Sequence, residues 1–326
     1  MNKYFKLLFS ALISILGIYL AFKGEDLNEL WHQIQQVDWI PLWISCLLLI
    51  FSCVIRAFRW QLLLNPVEHI PLHRLFAATM IGYFGNGVLI FRLGELLKAY
   101  SVSVNRNIST AQAFGTVILE RIIDLLMVAL IFAILIPWFP FEQDLLRVAM
   151  QIFSAVIIVI VILIGIAHKF RWLDLIKYKT VFQSGFGEKV FNIVNKIFDG
   201  MTIIRKTRNG LGIGLTSVFL WGIYYVTTYI LLSACGLDLG FIGTGIIFII
   251  GSIAIGIPAL PGSAGTYDAS VKYGLVIVFA IISEKALTYA IVSHAVSYFP
   301  LVIVGAVYFM LSSVKIKDLR ERSLPV

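Results

Sequence analysis

The chain has 326 residues, 60% of them apolar and only 13% charged, with a mean hydropathy of +0.92. A soluble domain carries about 45–50% apolar and about 25% charged residues, so this composition excludes a soluble enzyme and describes a chain that lives in a bilayer. The net charge of +8 does not describe a nucleic-acid binder, because the basic residues fall between apolar blocks, where they report topology.

About 20 mostly apolar residues cross the hydrocarbon core as a helix. The first such block, 4–22, follows Lys3 and Lys6 and precedes Glu25, Asp26 and Glu29, which places the N-terminus in the cytoplasm. No small-residue cleavage pattern follows it, so it reads as a span and not a signal peptide. The second block, 41–58, ends at Arg56, Arg59 and Trp60, an aromatic beside basic residues that reads as an anchor at the cytoplasmic face. The next, 75–90, is weaker and is broken by Gly82, Gly85, Asn86 and Gly87. Arg92, Glu95, Lys98 and Arg106 follow, so a hairpin that dips in and returns to the cytoplasm fits better than a full crossing.

A long helix over 110–136 leads to a short outer loop, 137–144, and a returning span, 147–167. The basic stretch 168–210 belongs in the cytoplasm, with 190–204 reading as an amphipathic helix on the membrane surface. A span over 211–234 goes out again. The apolar stretch 242–282 is interrupted by Pro258, Pro261, Gly262 and Gly265 and reads as two half-helices dipping from outside. The last span, 286–310, ends at Lys315, Lys317, Arg320 and Arg322, which returns the C-terminus to the cytoplasm. The expected fold is all-α: one transmembrane domain, 1–326, of about 8 membrane segments in a bacterial-type inner membrane. Broken segments in corresponding halves point to a transporter site between inverted repeats, although no residue-level repeat is visible.

Three cysteines, Cys46, Cys53 and Cys235, form no CxxC pair, and the five histidines form no HExxH pattern, so neither a disulfide framework nor a metal or cofactor is expected. The chemistry lies with the charges inside apolar sequence. Glu120, Arg121 and Asp124 sit within a spanning helix, where each unpaired charge costs about 2.5–3.5 kcal/mol. Glu120 and Asp124, four apart, share a face and call for a cation opposite. Arg92, Glu95 and Lys98 lie along one side of a helix. The two clusters either neutralise each other and lock the fold, or they line a polar cavity that meets an anion. At the second break, from Ile257 to Asp268, prolines remove amide donors and glycines admit close backbone approach. The half-helix beginning near Thr266 aims its N-terminal amides at that break, an anion site; the alternative is a kinked helix capped by Thr266 or Asp268. His294, alone in the last span, reads as a packing residue.

With these residues in place, the sequence resembles the lysylphosphatidylglycerol synthase transmembrane-region family of flippase-like membrane proteins. The resemblance rests on Arg56-Ala-Phe-Arg59-Trp60, on Asn86 with Arg92-Leu-Gly-Glu95-Leu-Leu-Lys98, on Glu120-Arg121 with Asp124, and on Pro258-Ala-Leu-Pro-Gly262 with Gly265. Departures from the family pattern are Ile90 and Phe91 in place of a preceding proline, Lys98 for arginine, Ser263 for glycine and Asp268 for glutamate. The resemblance implies a stand-alone member without the soluble aminoacyl-transferase domain. It implies a transporter of a phospholipid or polyprenyl-phosphate head group and not an enzyme. Arg92, Lys98 and Arg121 would hold the phosphate; Glu95, Glu120 and Asp124 would orient them; Asn86, Pro261, Gly262 and Gly265 would line the path. The alternatives are a membrane transferase on lipid-linked substrates and an accessory subunit. Expected partners are the membrane lipid, with a second copy or a lipid-modifying enzyme.

Overall fold

The computed structural model describes residues 3–89, 93–135, 207, 209–256 and 261–312, with a few isolated residues between 136 and 206. Arg92, Pro258, the outer loop 137–144, the span 147–167, the amphipathic stretch 190–204 and the C-terminal tail beyond 312 lie outside them, isolated positions aside. Among the described residues every regular element is helical. In chain order these are α1 (Lys3–Phe22), α2 (Leu27–Gln35), α3 (Trp39–Leu64), α4 (Leu72–Val88), α5 (Gly94–Ser103) and α6 (Thr110–Leu135). Then come α7 (Gly210–Ala234), α8 (Gly240–Gly256), a 3₁₀ turn (Pro261–Ser263), α9 (Thr266–Phe279) and α10 (Ser283–Leu311).

Among the described residues three helices, α3, α7 and α10, are long and apolar enough to cross a membrane. Their outward faces carry exposed large apolar side chains such as Leu47, Leu215 and Ile303. The charged side chains turn inward instead, the reverse of a water-soluble bundle and the arrangement expected where lipid surrounds the fold. Short helix α2 begins at Asp26, whose carboxylate accepts the amide of Asn28 at 2.8 Å, and α3 begins in the same way at Asp38. Trp31, Trp39 and Trp43 are exposed around these starts, where indoles suit a membrane interface. The three cysteines are free thiols.

The two broken segments are helical hairpins. In the first, α4 and α5 run antiparallel with backbones almost touching. A Cβ on Gly94 would fall 2.1 Å from the Gly82 carbonyl oxygen, and one on Gly85 would fall 2.6 Å from the Gly94 Cα. Only glycine permits that approach. In the second, Gly243 of α8 faces Phe279 of α9, while Gly251 faces Tyr267, so the helices are again antiparallel.

The hairpins enter from opposite sides. Helices α3 and α7 are antiparallel, since the Asp38 amide at the start of α3 meets the Ala234 carbonyl at the end of α7, 3.2 Å away. The first hairpin follows the end of α3 and the second follows the end of α7. Their tips therefore meet inside the bundle. Tyr298 of α10 stands between them: its hydroxyl donates to the Gly87 carbonyl at 2.9 Å, and its ring lies against Gly262.

The start of α9 differs from the sequence reading. Neither Thr266 nor Asp268 is the N-cap; Gly265 is, with φ +82°, a conformation that costs glycine nothing. A Cβ there would also collide with the Ser14 carbonyl of α1 at 2.4 Å. Asp268, three residues on, accepts the Gly265 amide at 2.9 Å, so a carboxylate of the chain itself already occupies the first amide of that helix.

Candidate functional site

Where α3 crosses α6 antiparallel, residues three apart on one helix face residues four apart on the other. Arg56 reaches Asp124 at 2.9 Å, and Arg59 reaches the other oxygen of the same carboxylate at 2.8 Å and Glu120 at 3.8 Å. The returning arm of the first hairpin adds a second layer. Lys98 on α5 donates to Glu120 at 2.5 Å with its ammonium 4.1 Å above the Trp60 ring, and Glu95 pairs with Arg121 at 2.7 Å. Arg121 also lies 3.5 Å from Asp124. Polar neighbours complete the network: Arg56 donates to the Tyr224 hydroxyl, Arg59 to Ser217 and the Trp60 indole to Thr116.

These charges are deep. Arg59 is fully buried, Glu120 is 1% exposed, and Arg56, Lys98 and Asp124 are 5–7% exposed. Removing such ions from water costs several kcal/mol each, and only close, multiply bonded opposite charge offsets it. Among the described residues four cations nevertheless face three carboxylates, one positive charge in excess.

Against this network lies a small open-sided recess of ≈ 20 Å³. Its wall carries the cations Arg56, Lys98 and Arg121 and the carboxylate of Glu95, together with Thr79, Tyr83 and Asn86 of α4. Gly82 also borders it, and its missing side chain is what lets Lys98 and Gly94 of α5 pack close. The Thr79 hydroxyl and the Asn86 side-chain oxygen are buried without a hydrogen-bond partner, as is the Arg56 Nε. Buried polar atoms in that state cost about 1–3 kcal/mol apiece, and all three belong to residues of the recess wall. Arg121 is the most open of the charges, its side chain 39% exposed.

The structure brings Asn86, Glu95, Lys98, Glu120, Arg121 and Asp124 into one cluster; Glu120 and Asp124 stand behind the wall and hold the cations that form it. Pro261, Gly262 and Gly265 sit at the tip of the second hairpin, Gly262 against Tyr298 and Gly265 against α1, and none of the three lines the recess. Tyr298 links them to it through Gly87, the residue after Asn86. Glu95 and Lys98 of the first expected cluster pair with Arg121 and Glu120 of the second, and Glu95, Lys98 and Arg121 also wall the recess; Arg92 lies outside the described residues. One expectation is corrected. Arg56, Arg59 and Trp60 are not an exposed interface anchor, for all three are buried within the bundle. Their three- and four-residue spacing was the available signal, because Arg56 and Arg59 share the face that Glu120 and Asp124 require. His294 also does more than pack: its ring nitrogens contact Asp268 at 2.9 Å and the Gly262 carbonyl at 2.8 Å.

Fold and site define a multi-pass membrane protein with an ion-paired, cation-rich recess inside its helix bundle. The chain belongs to the family described as the lysylphosphatidylglycerol synthase TM region, which it matches over residues 7–305. It is 24% identical, over 92% of its length, to a protein named glycosyltransferase AglD from Haloferax volcanii. It spans about half of that relative, 53%. It is 22% identical to a UPF0104 membrane protein of Methanothermobacter thermautotrophicus, over 91% of this chain and 90% of the relative. A UPF0104 membrane protein of Methanocaldococcus jannaschii is 24% identical over 69% of this chain and 93% of its own. No solved structure matches. The likeness to a named glycosyltransferase overturns the expectation that the chain is not an enzyme.

Proposed function

We propose that the recess binds the phosphate-bearing head group of a membrane lipid, of phospholipid or polyprenyl-phosphate type, and that the chain moves this group through the bundle while the acyl chains stay in lipid. The observation that carries this reading is the excess cation: Arg56, Lys98 and Arg121 face an open space inside a membrane-embedded bundle, and a phosphate supplies the missing negative charge. The unpaired Thr79 hydroxyl can donate to a phosphate oxygen, whereas the unpaired Asn86 oxygen and Glu95 accept from a hydroxyl or ammonium on the same head group. Two hairpins that dip from opposite sides and meet at their tips suit alternating access. On this reading the basic ends of the sequence lie in the cytoplasm, together with the open end of the first hairpin.

The test is scrambling of fluorescent anionic, zwitterionic and aminoacylated lipids in proteoliposomes, comparing the wild type with Arg121→Ala. Head-group-dependent scrambling that the variant loses supports the reading; no scrambling of any lipid by folded protein overturns it.

A second reading follows from the relative named a glycosyltransferase: the same recess presents a lipid-linked substrate for group transfer. Here Glu95, the carboxylate on the recess wall, is placed to act on a substrate hydroxyl. Product formation from a labelled lipid-linked sugar by purified protein separates this reading from transport alone.

A further inference from the structure

Away from the charged recess, α10 presents His294 and Tyr298 on one face, one turn apart, toward the meeting point of the hairpins. Tyr298 holds the first tip by the Gly87 carbonyl, and His294 holds the second by the Gly262 carbonyl. On its other side His294 meets Asp268, whose second oxygen already accepts the Gly265 amide. The two side chains are 19% and 13% exposed, open enough for proton exchange and closed enough to feel each bond.

Counting donors fixes the proton content of this arrangement. The Gly262 carbonyl only accepts, so the His294 Nε2 must carry a hydrogen. The 2.9 Å contact between Nδ1 and Asp268 Oδ1 then needs one more, on the histidine or on the acid. In either form the pair holds one exchangeable proton. If it leaves, the Nδ1 lone pair faces a carboxylate. If the ring changes tautomer to avoid that, the Nε2 lone pair faces the Gly262 carbonyl. One of the two bonds must break.

We propose that the His294–Asp268 pair is a proton-binding site whose occupancy sets whether two bonds or one join the tip of the second hairpin to α10, and so how firmly that tip is clasped beside the first hairpin that Tyr298 holds. The site takes a proton and no other ligand, and it works whatever the charged recess binds. Asp268 and Tyr267 face the imidazole from α9 and Tyr298 from its own helix; α4 contributes the Gly87 carbonyl to the clasp, through Tyr298. Asp268 is the charged group among the described residues that reaches the ring. With the proton bound two bonds hold the second tip to α10; as pH rises and it leaves, one of the two is lost and the tip is held more loosely.

Asp268→Asn separates this from a merely structural contact. The asparagine carbonyl accepts the Gly265 amide as before, while its amide nitrogen donates to Nδ1 of a neutral His294, so both bonds persist without the exchangeable proton. The measurement is hydrogen–deuterium exchange of the amides from 262 to 268 in the full-length protein in nanodiscs, between about pH 5 and pH 8. Rates are normalised to an unstructured peptide at each pH. The wild type is expected to lose protection by about tenfold as pH rises, the effect of one lost buried hydrogen bond on local opening. Asp268→Asn should stay protected throughout, and His294→Ala unprotected throughout. Protection in the wild type that does not change with pH, or an Asp268→Asn profile that follows the wild type, overturns the proposal.

Discussion

Lys98, on the returning arm of the first hairpin, donates to Glu120 of α6 at 2.5 Å, with both side chains buried. Such a pair is costly to halve. Lys98→Met leaves Glu120 deep in the bundle with only the 3.8 Å contact to Arg59, and a stranded buried charge costs about 3–5 kcal/mol. Lys98→Met should therefore unfold much more easily than the wild type. Adding Glu120→Gln should recover most of the loss, because the double variant strands no charge. Chemical or thermal unfolding of the purified variants in detergent checks this. A double variant no more stable than Lys98→Met would show that Glu120 gets its compensation elsewhere.

Arg121 behaves differently because it is the more open member of the network, with Glu95 at 2.7 Å and a side chain 39% exposed. Solvent screens part of its interaction, so Arg121→Ala should cost little stability, about 1 kcal/mol or less. Its effect should fall on binding. Loss of one cation from the recess wall should weaken an anionic head group by about tenfold or more, whereas Arg121→Lys should retain part of the affinity, since a point charge replaces a planar fork. Lipid binding by a fluorescent anionic analogue, read beside a melting curve, separates the two effects.

Much of this was legible in the sequence, and the reasons differ between regions. Long apolar blocks fixed α3, α6, α7 and α10 because spanning length is a one-dimensional property. Pro261 and Gly262 marked the second hairpin at its break, whereas Gly82 and Gly85, expected to interrupt the first segment, lie inside unbroken α4 and mark that hairpin only because they let α5 pack close against it. Glu120 and Asp124 announced buried partners by their cost in lipid. Their strongest partners, Arg56 and Arg59, escaped, because a basic residue near the end of an apolar block looks the same whether it turns to water or to the interior. The α3 helix runs on to Leu64, past both arginines, which moves them inside the bundle. The join made by Tyr298 and His294 depends on which residues two tips bring together, and no spacing along the chain encodes that.

The close approach within the first hairpin gives a sharp contrast between glycines. Gly94→Ala would drive a Cβ to 2.1 Å from the Gly82 carbonyl, so the arms must separate and carry Glu95 and Lys98 with them. Overpacking of this kind costs about 1–3 kcal/mol and more where backbone must move. Gly222→Ala in α7 meets open space within 4 Å and should be neutral or stabilising by up to about 1 kcal/mol. Melting temperatures of the two variants, measured side by side, should move in opposite directions or differ by several degrees.

Tyr298→Phe tests the link between the hairpins directly. The ring, and with it the contact against Gly262, is kept; only the 2.9 Å bond to the Gly87 carbonyl is lost. One such bond contributes about 0.5–1.5 kcal/mol, so the protein should fold and melt within a few degrees of the wild type. The freed carbonyl sits at the end of α4, beside Asn86 on the recess wall, so local opening should rise at that tip before it rises anywhere else. Hydrogen exchange resolved over 84–89 and 262–268 is the readout. Faster exchange in both windows with an unchanged core would establish that Tyr298 couples the tips. Faster exchange in the first window alone would mean that His294 holds the second tip by itself. A uniform rise across the bundle would mark Tyr298 as one more packing contact of α10.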